Sequence, residues 1–260
     1  MELITILLSA LIGVLSPVGS VVDSVAEHAI RDQLAAAETL DVRIDNTPNY
    51  RYLQGRADRI RIAGRGVYPI EDLRIDQVEV ETDPIAVDPD RLRQGKPELE
   101  KPLQAAIKIV LTEADLNQAL QSDDILDQLD DLNLDFVSDS AAQYNLIDPQ
   151  LQFLAGNRIR LQVTLQQQNS TQQNSILIET GIRLVSGSQA ELVDPVVSFD
   201  DSPVPPELLD YFIAGVNQLL DLKNLETSGI TARVLKLEVE GDRLTLVSFV
   251  RVEPDAELLK

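Results

Sequence analysis

Six aspartates, Asp123, Asp124, Asp127, Asp130, Asp131 and Asp135, fall within thirteen residues. Carboxylates at that density could hold a divalent cation. A calcium loop, however, needs alternating carboxylates, a glycine at its tight turn and a distal bidentate glutamate. None of that spacing is present. Asp123, Asp127, Asp130 and Asp131 instead share one face of a helix, so a solvated acidic surface is the ordinary reading and weak divalent binding the alternative. A second cluster has the opposite sign: Arg51, Arg56, Arg59, Arg61 and Arg65, offset locally only by Asp58. Such a patch either meets an anionic surface, with about 1 kcal/mol per basic residue at a charged bilayer, or pairs with the excess carboxylates of its own chain.

Catalytic constellations are not apparent in the sequence. The single histidine, His28, has only Ser24 at helical spacing as a nucleophile to activate, and reads as a structural or surface residue. Ser186-Gly187-Ser188 reads as a turn rather than a nucleophile elbow. Gly64-Arg65-Gly66 is a lone G-x-G with no phosphate-loop context. The absence of cysteine removes thiol catalysis, disulfides and thiolate-bound metals. No pair of carboxylates stands out among the 43 acids as suited to glycoside chemistry. The expectation is a non-enzyme without cofactor or metal.

Charge narrows the partners. Lys and Arg number 22 against 43 Asp and Glu, a net charge of −21, and phosphate backbones repel such a surface, so nucleic acid is not an expected partner. Aromatics make up 4% and tryptophan is absent, which makes the core aliphatic. At 260 residues the chain fits one large domain or two small ones.

The first stretch places the rest. From Leu3 to Val22 there is no charged side chain. The uninterrupted run Leu3–Leu15 would span only ~20 Å as a helix, short of a hydrocarbon core of ~30 Å. Pro17 and Gly19 break its continuation, and only Glu2 precedes it where an export signal carries basic residues. An export signal, an anchoring or interfacial helix, and a buried helix are the three readings.

Beyond Pro17, Val18, Val21, Val22, Val25, Ala29 and Leu34 keep helical spacing, which Ala35–Ala37 extend toward Leu40. The period then changes to two. Leu40, Val42 and Ile44 alternate with Asp41, Arg43 and Asp45; Ile60 and Ile62 with Arg59 and Arg61; Val78 and Val80 with Glu79 and Glu81. These are strands with one wet and one buried face. Asn46-Thr47-Pro48-Asn49, Gly64-Arg65-Gly66 and Tyr68-Pro69 read as turns between them. A strand over Leu103–Leu111 leads into a helix opened by Thr112-Glu113-Ala114-Asp115, and an acidic helix over Asp124–Asp131 follows. Further strands are expected around Leu151–Phe153, Ile159–Leu165, Ile176–Leu184 and Ala190–Phe199, with a polar loop over Gln166–Ser175. A strongly apolar helix over Glu207–Leu222 comes next. Ile230–Val239 and Leu244–Val252 then form a hairpin about Glu240-Gly241-Asp242.

Five stretches carry a likeness to a known family: Ala26–Leu34; Leu53-Gln54-Gly55-Arg56; Ile60–Val67; Val80–Ile85; and Leu111–Leu120. In this order and spacing they resemble the LmeA-like phospholipid-binding family over roughly residues 20–250. The resemblance implies a bacterial envelope protein, membrane-associated or periplasmic, with phospholipid or a membrane surface as partner and no catalytic residues to assign. It also implies an α+β fold similar to tubular lipid-binding folds, in which long curved antiparallel sheets wrap a few amphipathic helices behind a hydrophobic N-terminal helix. The expected organisation is a signal or anchor at 1–22, one elongated lipid-binding domain at 23–254 with pseudo-halves 23–121 and 122–254, and a tail at 255–260. The apolar helix faces then supply candidate groove residues: Leu116, Leu120, Leu208, Phe212, Ile213, Val216 and Leu220. Arg56, Arg59, Arg61 and Arg65 are candidate headgroup or membrane contacts. The function expected is binding or transfer of phospholipid; the alternative is an envelope scaffold without a lipid ligand.

Overall fold

The computed structural model describes residues 27–28, 30–45, 55–93, 98–122, 126, 144–167, 173–200, 202–204, 213, 217 and 221–256. The hydrophobic segment 1–22, the turn at 46–49, Arg51, nearly all of the acidic helix at 124–131, the centre of the 166–175 loop and most of the 207–222 helix lie outside these residues.

Among the described residues thirteen strands dominate, in line with the alternating sequence: β1 (Ala36–Asp45), β2 (Arg56–Ala57), β3 (Arg59–Ile70), β4 (Leu73–Thr82), β5 (Ile85–Ala86), β6 (Leu103–Thr112), β7 (Tyr144–Leu154), β8 (Arg158–Gln167), β9 (Gln173–Val185), β10 (Gln189–Phe199), β11 (Ser202–Pro203), β12 (Ile230–Glu240) and β13 (Arg243–Val252). Among the described residues the helical elements with stated bounds are short: α1 (Pro89–Arg93), α2 (Glu113–Leu120) and a 3-10 helix at Leu222–Ser228. Two large open sheets result, in the orders β1-β3-β4-β6-β13-β12 and β11-β10-β9-β8-β7, and β2 pairs with β5 alone. Contacts group the chain into two units, one of residues 1–110, 222–236 and 246–260, the other of residues 111–221 and 237–245.

The first unit buries one face of its sheet. Val42, Ile62, Val80 and Ile107 stand opposite one another across four antiparallel strands, and they are 7%, 3%, 4% and 3% exposed. Ile30, Leu103, Val250, Val252 and Ala256 add to this aliphatic core. The alternate residues form a charged face, with Asp41, Ala63, Glu79 and Lys108 in one row and Arg43, Arg61, Glu81 and Ala106 in the next. A period of two applied to a sheet with one buried face requires this division.

Two local expectations are corrected. The helical spacing does not reach Leu40: residues 30–31 are helical, and β1 begins at Ala36, where Ala36 and Ala37 pair with Tyr68 and Val67. Pairing to an existing strand outweighs the modest helix preference of alanine. Gly64-Arg65-Gly66 and Tyr68-Pro69 are not turns. They lie inside β3, which runs unbroken to Ile70, and the chain reverses at Glu71-Asp72 instead. The register shifts between Val67 and Ile70, a bulge that admits Pro69.

In the second unit, Thr112 caps α2 as its sequence suggested: its hydroxyl oxygen accepts from the Asp115 amide at 3.0 Å and its hydroxyl donates to the Asp115 carboxylate at 2.6 Å. The final hairpin turns at Gly241, whose φ is +61°, as expected.

Candidate functional site

The arginines come first. Three of the four candidates hold carboxylates on their own sheet or its surroundings: Arg56 lies 3.8 Å from Glu100, Arg59 3.1 Å from Glu81, and Arg61 2.5 Å from Asp45. Arg65 is exposed on β3, opposite Thr39 and Gln77. Asp45 also receives Arg43 at 3.2 Å. Burial raises the Asp45 pKa, but Arg61 and Arg43 outweigh it and hold the carboxyl below its usual range. The charged face encloses an open trough of about 710 Å³, walled by Asp41, Arg43, Arg61, Glu79 and Glu81 with Ala63 and Ala106 among its lining. Lys108 bridges to Glu79 at 3.5 Å. Self-pairing, the second of the two sequence readings, describes most of these side chains.

The helical candidates divide. Leu116 and Leu120 are partly buried on α2, and Ile213 is partly buried in a helical position. Leu208, Phe212, Val216 and Leu220 lie outside the described residues. The stripe of α2 beside these leucines has a polar task. Glu113 accepts from the Phe153 amide at 2.6 Å. Asn117 accepts from the Leu151 amide at 2.7 Å and donates to the Leu151 carbonyl at 2.8 Å. Gln121, just past the helix end, donates to the Pro149 carbonyl at 2.8 Å. These three side chains occupy the backbone groups along the outer edge of β7.

A further surface comes from the five-stranded sheet. Leu151, Leu161, Ile178 and Val197 face one another across β7, β8, β9 and β10. Val163, Ile176 and Phe199 form the neighbouring row, and Phe153, Ile159 and Thr180 the row on the other side. The Thr180 hydroxyl is satisfied within the sheet, 2.9 Å from the Gly181 carbonyl and 3.2 Å from the Val193 carbonyl. The face is thus apolar, aliphatic but for Phe153 and Phe199, with one satisfied hydroxyl in these rows. Leu165, Ile176 and Val197 are buried, whereas Leu151, Phe153, Ile159, Leu161 and Ile178 remain partly exposed.

The apolar helical stripes suggest a groove lined by helices, whereas this face belongs to a sheet. The signal was present: from Arg158 to Gln166 polar and apolar residues alternate without a break. Alternation reports which face is apolar but not whether anything covers it.

On the opposite face Arg160 and Arg158 converge on Glu179 at 2.8 and 3.3 Å. The hydrogen bond from Arg160 is the largest influence holding the Glu179 carboxyl below its usual range. Asp88 is lowered by the amides of Arg91 and Asp90, and Asp200 by the Ser175 amide and the Asn174 side chain. Each of these carboxylates is stabilised in its ionised form by a structural partner, unlike a general acid poised near neutrality. Among the described residues no three His, Cys, Asp or Glu side chains are grouped to hold a metal ion. Among them, too, no helix is long and apolar enough to cross a membrane.

The family model described as LmeA-like phospholipid-binding matches residues 13–249. No curated protein and no solved structure matches the chain.

Proposed function

The chain belongs to the LmeA-like phospholipid-binding family, and from that premise we propose that it holds phospholipid by its acyl portion against the apolar face of β7–β10, without catalysing a reaction. One contrast carries this reading. In the first sheet the four-strand apolar row is 3–7% exposed. In the second sheet the equivalent row keeps Leu151, Leu161 and Ile178 partly exposed. Aliphatic side chains left in this state gain about 0.8 kcal/mol for each ligand methylene they help to remove from water. Several methylenes therefore suffice to hold a lipid without a dedicated polar motif. Leu116, Leu120 and Ile213 are proposed as flanking contacts. Arg56, Arg59 and Arg61 would meet headgroups only in competition with Glu100, Glu81 and Asp45.

The same reading places the protein at the bacterial cell envelope, where the uncharged stretch Leu3–Val22 would deliver or tether it beside the bilayer that supplies its ligand. Transfer between membranes would be a further step of the same binding. The experiment is native mass spectrometry, with lipid extraction, on protein purified from its host and then exposed to phosphatidylglycerol vesicles. Co-purified lipid, or uptake that Leu161→Asp abolishes, is expected. A homogeneous lipid-free mass with no uptake would defeat the proposal and favour a scaffold that has no lipid ligand.

A further inference from the structure

We infer that the trough on the charged face of the first sheet is a second binding site, one that takes a phosphate ester with a hydrogen-bond donor at its other end. Arg43 and Arg61 hold the phosphate, and Asp41 accepts from the donor. The inference goes beyond the acyl contact proposed above and does not depend on it.

Charge balance picks out these three side chains. Arg43 and Arg61 stand opposite one another on β1 and β3, and both bond to Asp45, at 3.2 and 2.5 Å. Two cations therefore share one anion, and a positive charge is left over. Arg59 and Lys108 leave no such surplus, because each has its own carboxylate, Glu81 or Glu79. A guanidinium carries its N–H donors in a planar fork, and Arg43 and Arg61 each spend one nitrogen on Asp45. The Arg61 Nε–H is buried with no acceptor among the described residues. An unpaired buried donor is costly, and an anion drawn to the same guanidinium offsets that cost. Two neighbouring guanidiniums suit a phosphate, whose oxygens accept from several donors at once.

Asp41 supplies the complement. It is exposed and walls the same trough, and its carboxylate has no hydrogen-bond or ion-pair partner among the described residues. It lies two positions from Arg43 on the same face of β1, about 6.8 Å along the strand. A glycerol or ethanolamine arm bridges that gap with the reach of the two side chains. Ala63 stands opposite Asp41, and Ala106 lies in the row of Arg61, so no bulky side chain fills the space between the charged walls. The volume of about 710 Å³ falls among those of small-molecule sites, about 300–1,000 Å³. The net charge of −21 does not bar an anion, because in roughly 0.15 M salt exposed charges more than about 8 Å away are largely screened. The same chemistry comes from two sources, a phospholipid headgroup or a free phosphate ester.

The test is calorimetric titration of the full chain, in roughly 0.15 M salt, with three probes that carry no acyl chain. Glycerol 3-phosphate and phosphoethanolamine have a terminal donor, and methyl phosphate has none. The first two should bind about tenfold more tightly than the third. Asp41→Ala should erase that preference, and Arg61→Gln should weaken all three about tenfold. Uptake of phosphatidylglycerol from vesicles that falls in Arg61→Gln identifies a lipid headgroup as the occupant, and unchanged uptake identifies a free phosphate ester. No probe binding, equal binding of all three, or binding that Arg61→Gln leaves intact overturns the site and leaves the acyl reading untouched. Bound probes with no vesicle uptake by the parent chain defeat the acyl reading alone.

Discussion

At the residue scale, single side chains resolve conflicts that the strand pairings create. Arg43 and Arg61 stand directly opposite on β1 and β3, an arrangement that repels in an isolated pair. Asp45 accepts from both and turns the clash into a three-membered cluster. Gly66 resolves a different conflict. It sits within β3 at φ +52°, and a Cβ there would collide with the Glu38 carboxylate. Gly66→Ala should therefore destabilise the protein by about 2 kcal/mol, chiefly because an L side chain strains that backbone. Denaturant unfolding with an unchanged m-value would register the loss. A midpoint equal to that of the parent would show that the backbone relaxes to negative φ at no cost.

At the element scale, α2 does for β7 what another strand would otherwise do. An exposed sheet edge presents unpaired amides and carbonyls. Glu113, Asn117 and Gln121 recur every four residues, a rise of about 6 Å, and their partners Phe153, Leu151 and Pro149 recur every two residues along the strand, about 6.8 Å. The near-match lets one helical stripe serve three successive strand positions. Asn117 makes two of these bonds, so Asn117→Ala should cost about 2 kcal/mol. Asn117→Asp, which keeps the acceptor and loses the donor, should cost roughly half as much. Hydrogen exchange would give an independent readout, with faster exchange at the Leu151 amide in the alanine variant. Unchanged protection there would mean that another group already covers the edge.

At the scale of the whole molecule, acidity sets the response to pH. Asp45, Asp88, Glu179 and Asp200 all have folded pKa values below their ordinary ones. A lowered folded pKa means that the unfolded chain binds the proton more readily. Each group therefore contributes stability that is fully present above its ordinary value and is lost as pH falls through its folded value. Acidification also relieves the mutual repulsion behind a net charge of −21, which acts in the opposite direction. Local pairs are the closer charges, so they should prevail at the acid end. The melting temperature followed by circular dichroism should fall below about pH 4. A melting temperature that keeps rising down to pH 3 would show that net-charge repulsion dominates instead.

Much of this was legible in the chain itself. Alternation at Leu40–Asp45, Arg59–Ile62 and Arg158–Gln166 fixes both the strands and their two faces, because a pleated strand sends neighbouring side chains to opposite sides. Thr112 and Asp115 specify the start of α2 because capping is decided over four residues. The blocks shared with the phospholipid-binding family fix membership. Tertiary structure alone decided the rest. The arginine patch became a set of ion pairs because register, which depends on distant strands, brought Asp45 and Glu81 beside it. Gly64 and Gly66 joined a strand because pairing to β1 and β4 outweighed local turn preference. The partial exposure of the apolar face of β7–β10 came from the fold, because burial depends on what packs above a residue, and the pattern along one strand does not contain that information.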